Sequence, residues 1–303
     1  PGRQRPRASN CDLERPRRWW GRTDRATMLR SPQPTMVVEL LPELVENLVP
    51  LLSELSAEEW TRPTACAGWS VKDVALHVLG IEMGSLSRRR DGHRWGPCYE
   101  GWEEVVAGVN EWNEQWLAVA RRISCKLLVD MLSLAGRQAC DYYRSLDLYA
   151  LGGPVIWVGP EPVPVWLDVA REYTERWHHQ QHIRDATGRP GLKEPRYLAP
   201  VLATFAWAMP RAMRGASGPE GTVVTLTVTG ESAGKWSVRR EGRAWKLYEG
   251  STARPDTEVV LDEDCAWRLF TRGMSEDQAR QQAKIVGDVA LGNRLLDMVS
   301  IIA

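Results

Sequence analysis

The segment "TERWHHQQHIRD", residues 174–185, holds three of the chain's five histidines together with a glutamate. Imidazole nitrogens and carboxylate oxygens are the donors that a borderline divalent cation such as zinc takes. On a helix, Glu172, Glu175, His179 and His182 fall on one face, because they are spaced three, four and three residues apart. A mixed face of this kind is also what a solvated helix presents. Trp177 and Ile183 lie away from the stripe and are read as packing residues. Spacings of four offer two chelating pairs, Glu175 with His179 and His178 with His182. The second imitates the H-E-x-x-H helix of zinc proteases. Here the motif reads "HHQQH", and His179 stands where the general-base glutamate belongs, so a metalloprotease is not expected.

The first pair needs a third donor. His77, in "SVKDVALHVLG", shares a helical face with Val74 and Ile81 and points into the helical core, either as a hydrogen-bonded core residue or as a ligand. His93, in the polar turn "RRRDGHRWGP", is expected to be exposed. If the helix of His77 faces the helix of Glu175 and His179, the three make a His2Glu set, which suits zinc with one coordination position open. Cys66, four residues before Ser70, has no histidine partner identifiable in the sequence and is read as a buried structural thiol.

The elements that must position these residues are mostly helical. From Met36 to Gly188 the apolar residues recur at three and four, beginning with "VVELLPELVENLVPLLSEL". "SAEEW" at Ser56 and "SVKD" at Ser70 read as capping boxes, the second opening the helix of His77. In "WEEVVAGVNEWNEQWLAVARRI", Trp102, Val105, Val109, Trp112, Trp116 and Val119 form one stripe, read as core. A further helix is expected over Lys126 to Leu146, then a broken Gly/Pro-rich loop. One long helix follows from Val165 to about Thr187, stopped by Gly188 and Pro190.

"GRPGLKEPR" reads as an interdomain linker. After a helix near Tyr197 to Met213, alternation in "TVVTLTVTG", "GKWSVRREG", "RAWKLYEG" and "TEVVLD" predicts an antiparallel sheet with a tight turn at Glu241-Gly242. Helices return at "CAWRLFTRG", "SEDQARQQ" and "VALGNRLLDMVSI". The expected organisation is therefore multi-domain: a disordered extension over 1–35, an all-α domain over 36–188, and a smaller α+β domain over 189–303. The extension carries nine arginines against Asp12, Glu14 and Asp24, and is read as upstream of a more natural start at Met28 or Met36.

"ACAGWSVKDVALHVLG", followed much later by "ERWHHQQHIRDATGRP", resembles the DinB-like superfamily and, more narrowly, the mycothiol-dependent maleylpyruvate isomerase family. The resemblance runs from about Leu40 to Gly188. It continues from about Pro195 to Ile302, where "KIVGDVALGNRLL" is similar to the end of the family's sterol-carrier-like C-terminal domain. It implies a DinB-like four-helix bundle whose metal ligands are His77, Glu175 and His179. It also implies a divalent metal, Zn2+, and mycothiol or a similar low-molecular-weight thiol. Relatives carry an aspartate in the place of His182 and an aliphatic residue in the place of His178. His182 is thereby open to three roles: a contact to a ligand, a competitor for the metal, or an added ligand.

The chemistry so implied is an isomerase or S-transferase acting on a small-molecule electrophile. For maleylpyruvate, the thiolate adds to the cis double bond, the resulting single bond rotates, and elimination gives fumarylpyruvate. The same apparatus would serve a transferase that attaches the thiol to another electrophile. Two other classes compete: a non-catalytic metal-binding DinB-like stress protein, and a carrier holding an apolar ligand against Trp236, Trp245, Leu247 and Val260. An anionic substrate would want a cation, and Arg239, Arg240 and Arg243 on the predicted hairpin are offered, with a solvated hairpin as the plainer reading. Arg171, Arg176 and Arg184 flank the candidate face and are read as pairing with nearby acids. The 39 basic and 39 acidic residues of this 303-residue chain leave no field to draw nucleic acid or an anionic membrane. No apolar run reaches the roughly 18 residues of a membrane span, and a cytoplasmic location is expected.

Overall fold

The computed structural model describes residues 28–93 and 102–301. The helical part opens with α1 (Leu41–Ser53), whose Leu41, Leu44, Leu48, Leu51 and Leu52 are buried on one side, as the spacing predicts. The Ser56–Glu59 capping pair forms, with Glu59 N–H donating to Ser56 Oγ at 3.2 Å. It starts only a 3-10 turn, Glu59–Thr61, which stops at Pro63. At α2 (Val71–Gly84) the full box forms: Ser70 accepts from Asp73 N–H, and the Asp73 carboxylate accepts from Ser70 N–H.

Helix α3 (Trp102–Ala120) is held to α2 twice. Arg121, just past α3, pairs with Asp73 at 2.8 Å, and Trp116 Nε1 donates to the Leu76 carbonyl at 2.8 Å. The indole reaches that carbonyl because residue 80 is glycine; a Cβ there would meet Trp116 Nε1 at 3.0 Å. The expected core stripe of α3 is not core: Val105, Val109, Trp112 and Trp116 are only half-buried. Val119 is exposed, while Leu117 and Ala120 are buried, since a 3.6-residue period carries the buried face past position 119.

Helix α4 (Cys125–Arg144) is capped by Ser124, and the Gly/Pro-rich segment that follows pairs β1 (Leu151–Pro154) with β2 (Pro162–Pro164). Then comes α5 (Val165–Thr187), closed by Gly188 at φ 67°, a left-handed value that glycine adopts without strain. Helices α1 and α2 each pack on both α4 and α5. On its other side α5 meets α6 (Pro195–Phe205), so it is buried on nearly every face, its histidines included. No helix among the described residues is long and apolar enough to cross a membrane.

Beyond α6 lie the short α7 (Met209–Ala212), the strands β3 (Val223–Thr229), β4 (Gly234–Glu241), β5 (Ala244–Glu249) and β6 (Thr257–Asp262), the helices α8 (Glu263–Phe270) and α9 (Glu276–Gln282), the strand β7 (Lys284–Gly287), and α10 (Val289–Leu296). The sheet is not wholly antiparallel, as the strand pattern had suggested. Its order is β5-β4-β3-β6-β7, and β3 runs parallel to β6, because the chain leaves β5 at one edge and crosses to the far side of β3. The four-residue β7, not anticipated, pairs with β6.

The chain thus has a helical N-terminal region and a sheet-rich C-terminal region. One apolar core runs through both, joining Trp177 of α5 to Trp267 and Phe270 of α8 and to Phe205 of α6. Residues 28–35 correct the expectation of a disordered extension reaching residue 35. Arg30 makes two backbone hydrogen bonds with Glu249 at the sheet edge, 2.9 and 2.8 Å, and Leu29 is buried. The rest of that extension, residues 1–27, lies outside the described residues.

Candidate metal centre

Two helices bring the donors together. His77 projects from α2, and Glu175 and His179 stand one turn apart on α5; one donor atom from each lies within 4.8 Å of the others. The His77 and His179 rings meet edge to face, with centroids 4.5 Å apart. His179 Nε2 is 3.7 Å from Glu175 Oε2, too long for a hydrogen bond. It is close to the roughly 3.4 Å that separates two nitrogen or oxygen ligands on a tetrahedral zinc ion. His179 Nδ1 is buried without a hydrogen-bond partner among the described residues. The donor set, two imidazoles and a carboxylate, fits a divalent cation of the zinc class.

The surroundings favour the ligating form. Burial pushes the His77 imidazole down to about 4, helped by the nearby His178, and against a hydrogen bond with the side chain of Asn113 on α3. Burial holds His179 well below the ordinary histidine value, with His178, His77 and His182 adding to the effect. Both rings are neutral near pH 7, with nitrogen lone pairs free for a metal. The Asn113 contact is of the kind that fixes the tautomer and ring orientation of a ligand histidine. Trp69 lies beside His77 at 5.0 Å, and Trp267 beside His182 at 6.4 Å, so aromatic rings flank the cluster.

The remaining members of the predicted face are sorted by their contacts. His178 takes no part in a donor set; its Nδ1 meets the Thr174 carbonyl at 2.8 Å, and its ring packs on His179. Glu172 is occupied by arginines. Arg176 donates to its Oε2 at 2.7 Å, Arg89 approaches at 3.2 Å, and Arg171 also bonds it. Burial opposes its ionisation, yet Arg171, Arg89 and Arg176 together hold the carboxyl well below the usual range. Arg176 spans further, to Glu82 of α2, at 2.8 and 2.9 Å. Arg184 bonds Gln180 and the carbonyls of Arg189 and Pro190 instead of an acid. His93 is exposed, as expected.

Cys66 does have a histidine partner, contrary to the sequence reading. Its Sγ lies 3.1 Å from His182 Nδ1, and Cys66, His179 and His182 form a second set of donors within 4.8 Å of one another. The loop before α2 makes this contact possible. It doubles back through a Pro63–Ser70 bridge and turns at Gly68, φ 78°, leaving Cys66 near its tip. Burial pushes the Cys66 thiol up to about 11, and burial also pushes His182 down to about 3. A cysteine four residues ahead of a helix cap, in a chain with a histidine-rich helix, is the only trace this contact leaves in the sequence.

The other candidates sit apart from the two donor sets. Arg239 pairs with Glu241 at 2.8 Å, Arg240 donates to the Ala216 carbonyl, and Arg243 is exposed. Trp236 and Trp245 are buried in the sheet's packing. A cleft of about 700 Å³ beside β4 is lined by Met28, Ala203 and Trp236 together with Lys235, Glu249 and Glu258, and Trp245, Leu247 and Val260 do not line it.

Comparison with known families gives a match in the helical region. Residues 41–184 match the model of the mycothiol maleylpyruvate isomerase N-terminal domain. The helical region therefore carries a domain of that type. The domain so defined starts with α1 and ends at Arg184, enclosing both donor sets. Two solved structures are similar to the chain: the mycothiol-dependent maleylpyruvate isomerase, with 13% identity and a TM-score of 0.49, and a mutant of it, with 12% and 0.46. Each alignment covers 83% of this chain and 92% of the other. A comparison with curated proteins gives no match.

Proposed function

We propose that this protein is a metal-dependent isomerase or S-transferase that uses a low-molecular-weight thiol, with His77, Glu175 and His179 holding a divalent cation, zinc. The observation that carries the reading is the convergence of these three donors from α2 and α5 inside the matched domain. In this reading the helical region, 36–188, is a DinB-like four-helix bundle, and 189–303 is a sterol-carrier-like domain. When bound, the cation would lower the pKa of a thiol such as mycothiol and present it as the thiolate.

The chain's own residues do the rest. Asn113 holds the His77 ring, the Arg176–Glu82 pair fixes α5 against α2, and Trp69 and Trp267 restrict water. For an isomerase the substrate is maleylpyruvate. The thiolate sulfur bonds to one carbon of the cis double bond, the C–C single bond so formed rotates, and loss of the same thiol restores the double bond in the trans form. Nothing is gained or lost overall. For a transferase the sulfur–carbon bond is kept and the adduct leaves as product.

The test is elemental analysis of protein purified without chelator or added metal. About one zinc per chain is expected, reduced sharply in His77→Ala, Glu175→Ala and His179→Ala and unchanged in His93→Ala. Full occupancy in Glu175→Ala, or loss caused by His178→Ala instead, would show that the wrong donors have been chosen. Conversion of maleylpyruvate only when mycothiol is present would then identify the isomerase. Consumption of the thiol in step with substrate would identify the transferase.

A further inference from the structure

The Cys66–His182 contact lies outside the His77, Glu175 and His179 set and calls for its own explanation. A simple S–H to nitrogen hydrogen bond accounts for the 3.1 Å separation but leaves a neighbouring buried nitrogen unexplained. His179 Nδ1 is buried with no hydrogen-bond partner among the described residues, in a residue only 7% exposed. Buried polar nitrogens without partners mark places where something binds. The sulfur and nitrogen are also near the spacing that ligation demands. Zinc–sulfur and zinc–nitrogen bonds in a tetrahedral site place those ligand atoms about 3.6 Å apart, about half an ångström more than the 3.1 Å seen.

We propose that Cys66, His182 and His179 form a second cation-binding set that shares the His179 imidazole with the first, making the Cys66 sulfur a ligand supplied by the chain itself. The cation it takes is of the zinc or cadmium class, for which a thiolate with two imidazoles is a good donor set. On binding, the S–H bond breaks, a sulfur–metal bond forms, and the proton passes to solvent. His179 belongs to both sets, so the Cys66 sulfur lies within 4.8 Å of a donor of the first. A small thiol approaching an ion on His77, Glu175 and His179 therefore meets a sulfur already in reach of it. This inference rests on the proposed metal centre, and the experiment separates the two.

Cobalt(II) is titrated into the metal-free protein with no other thiol present. Visible d–d bands report binding, and a near-ultraviolet sulfur-to-cobalt charge-transfer band reports a thiolate ligand. Both are expected in the natural protein. Cys66→Ser should keep the visible bands and lose the charge-transfer band, and His182→Ala should weaken it. Cobalt that binds with no charge-transfer band, or with a band unchanged in Cys66→Ser, overturns the inference while leaving the His77, Glu175 and His179 reading intact. Failure to bind cobalt at all overturns both. Should Cys66→Ser not fold, cadmium NMR of the natural protein decides. A shift typical of one sulfur ligand supports the set, and one typical of nitrogen and oxygen alone removes it.

Discussion

Arg176 of α5 and Glu82 of α2 form a two-point ion pair, Nε to Oε1 at 2.8 Å and Nη2 to Oε2 at 2.9 Å, with side chains only 5% and 3% exposed. Arg176 stands three residues before His179, and Glu82 stands five after His77. The pair therefore locks the register of the two helices that carry the candidate ligands. Removing Glu82 breaks two buried charged hydrogen bonds and leaves Arg176 with Glu172 as its remaining carboxylate partner, which costs about 3 kcal/mol, the low end for breaking a buried pair. Glu82→Ala should lose that much stability in urea denaturation, and its zinc affinity should drop about tenfold or more through misplacement of His77. Replacing both residues with methionine should cost less than either single change, because no charge is then orphaned. A double variant as unstable as Glu82→Ala would refute this account.

Asp264 provides a pH test away from the metal ligands. Its carboxylate accepts from Lys193 Nζ at 2.6 Å, Arg268 Nε at 2.7 Å and Trp267 Nε1 at 3.0 Å, while Arg268 also reaches Asp185 of α5. Burial alone would raise its pKa, but the bonds from Arg268, Lys193 and Trp267 outweigh it and bring the group to about 2, from an ordinary 3.8. A carboxyl whose folded value is depressed stabilises the fold above its unfolded pKa, and that contribution is lost as pH falls through the folded value. Because the side chain is half exposed, the gain is about 1 kcal/mol. The stability difference between the natural protein and Asp264→Asn should be constant above about pH 5 and shrink as pH falls from there toward about 2. A difference that does not change over this range would contradict it.

Residues 28–35 give a prediction about length. Leu29 is 3% exposed and Arg30 is bonded to the edge of β5, so this segment is part of the packed structure. A chain starting at residue 36 should be less stable than one starting at residue 28 by about 2 kcal/mol, roughly the worth of burying one leucine. Equal midpoints in thermal or urea unfolding would show that the segment contributes nothing.

Local sequence determined a good part of this protein. The limits of α5 are written in the periodicity up to Thr187 and in Gly188 and Pro190, and the start of α2 in the Ser70–Asp73 box, because caps and breakers act over a few residues. The one-turn pairing of Glu175 with His179 is legible for the same reason. Tertiary structure alone decided what lies opposite them. Alternation identifies strands but not their neighbours, so the parallel β3–β6 pairing and the short β7 were hidden. Charges are ordinarily placed outside, so nothing local shows that Glu172, Arg176 and Glu82 are buried together, or that Glu172 is thereby withdrawn from the donors. Cys66 and His182 are 116 residues apart, and only the folding back of the loop ahead of α2 onto α5 brings sulfur to nitrogen. Spacing along a helix fixes which donors share a face; the partner facing them is set by how helices and loops pack, a matter of the whole core.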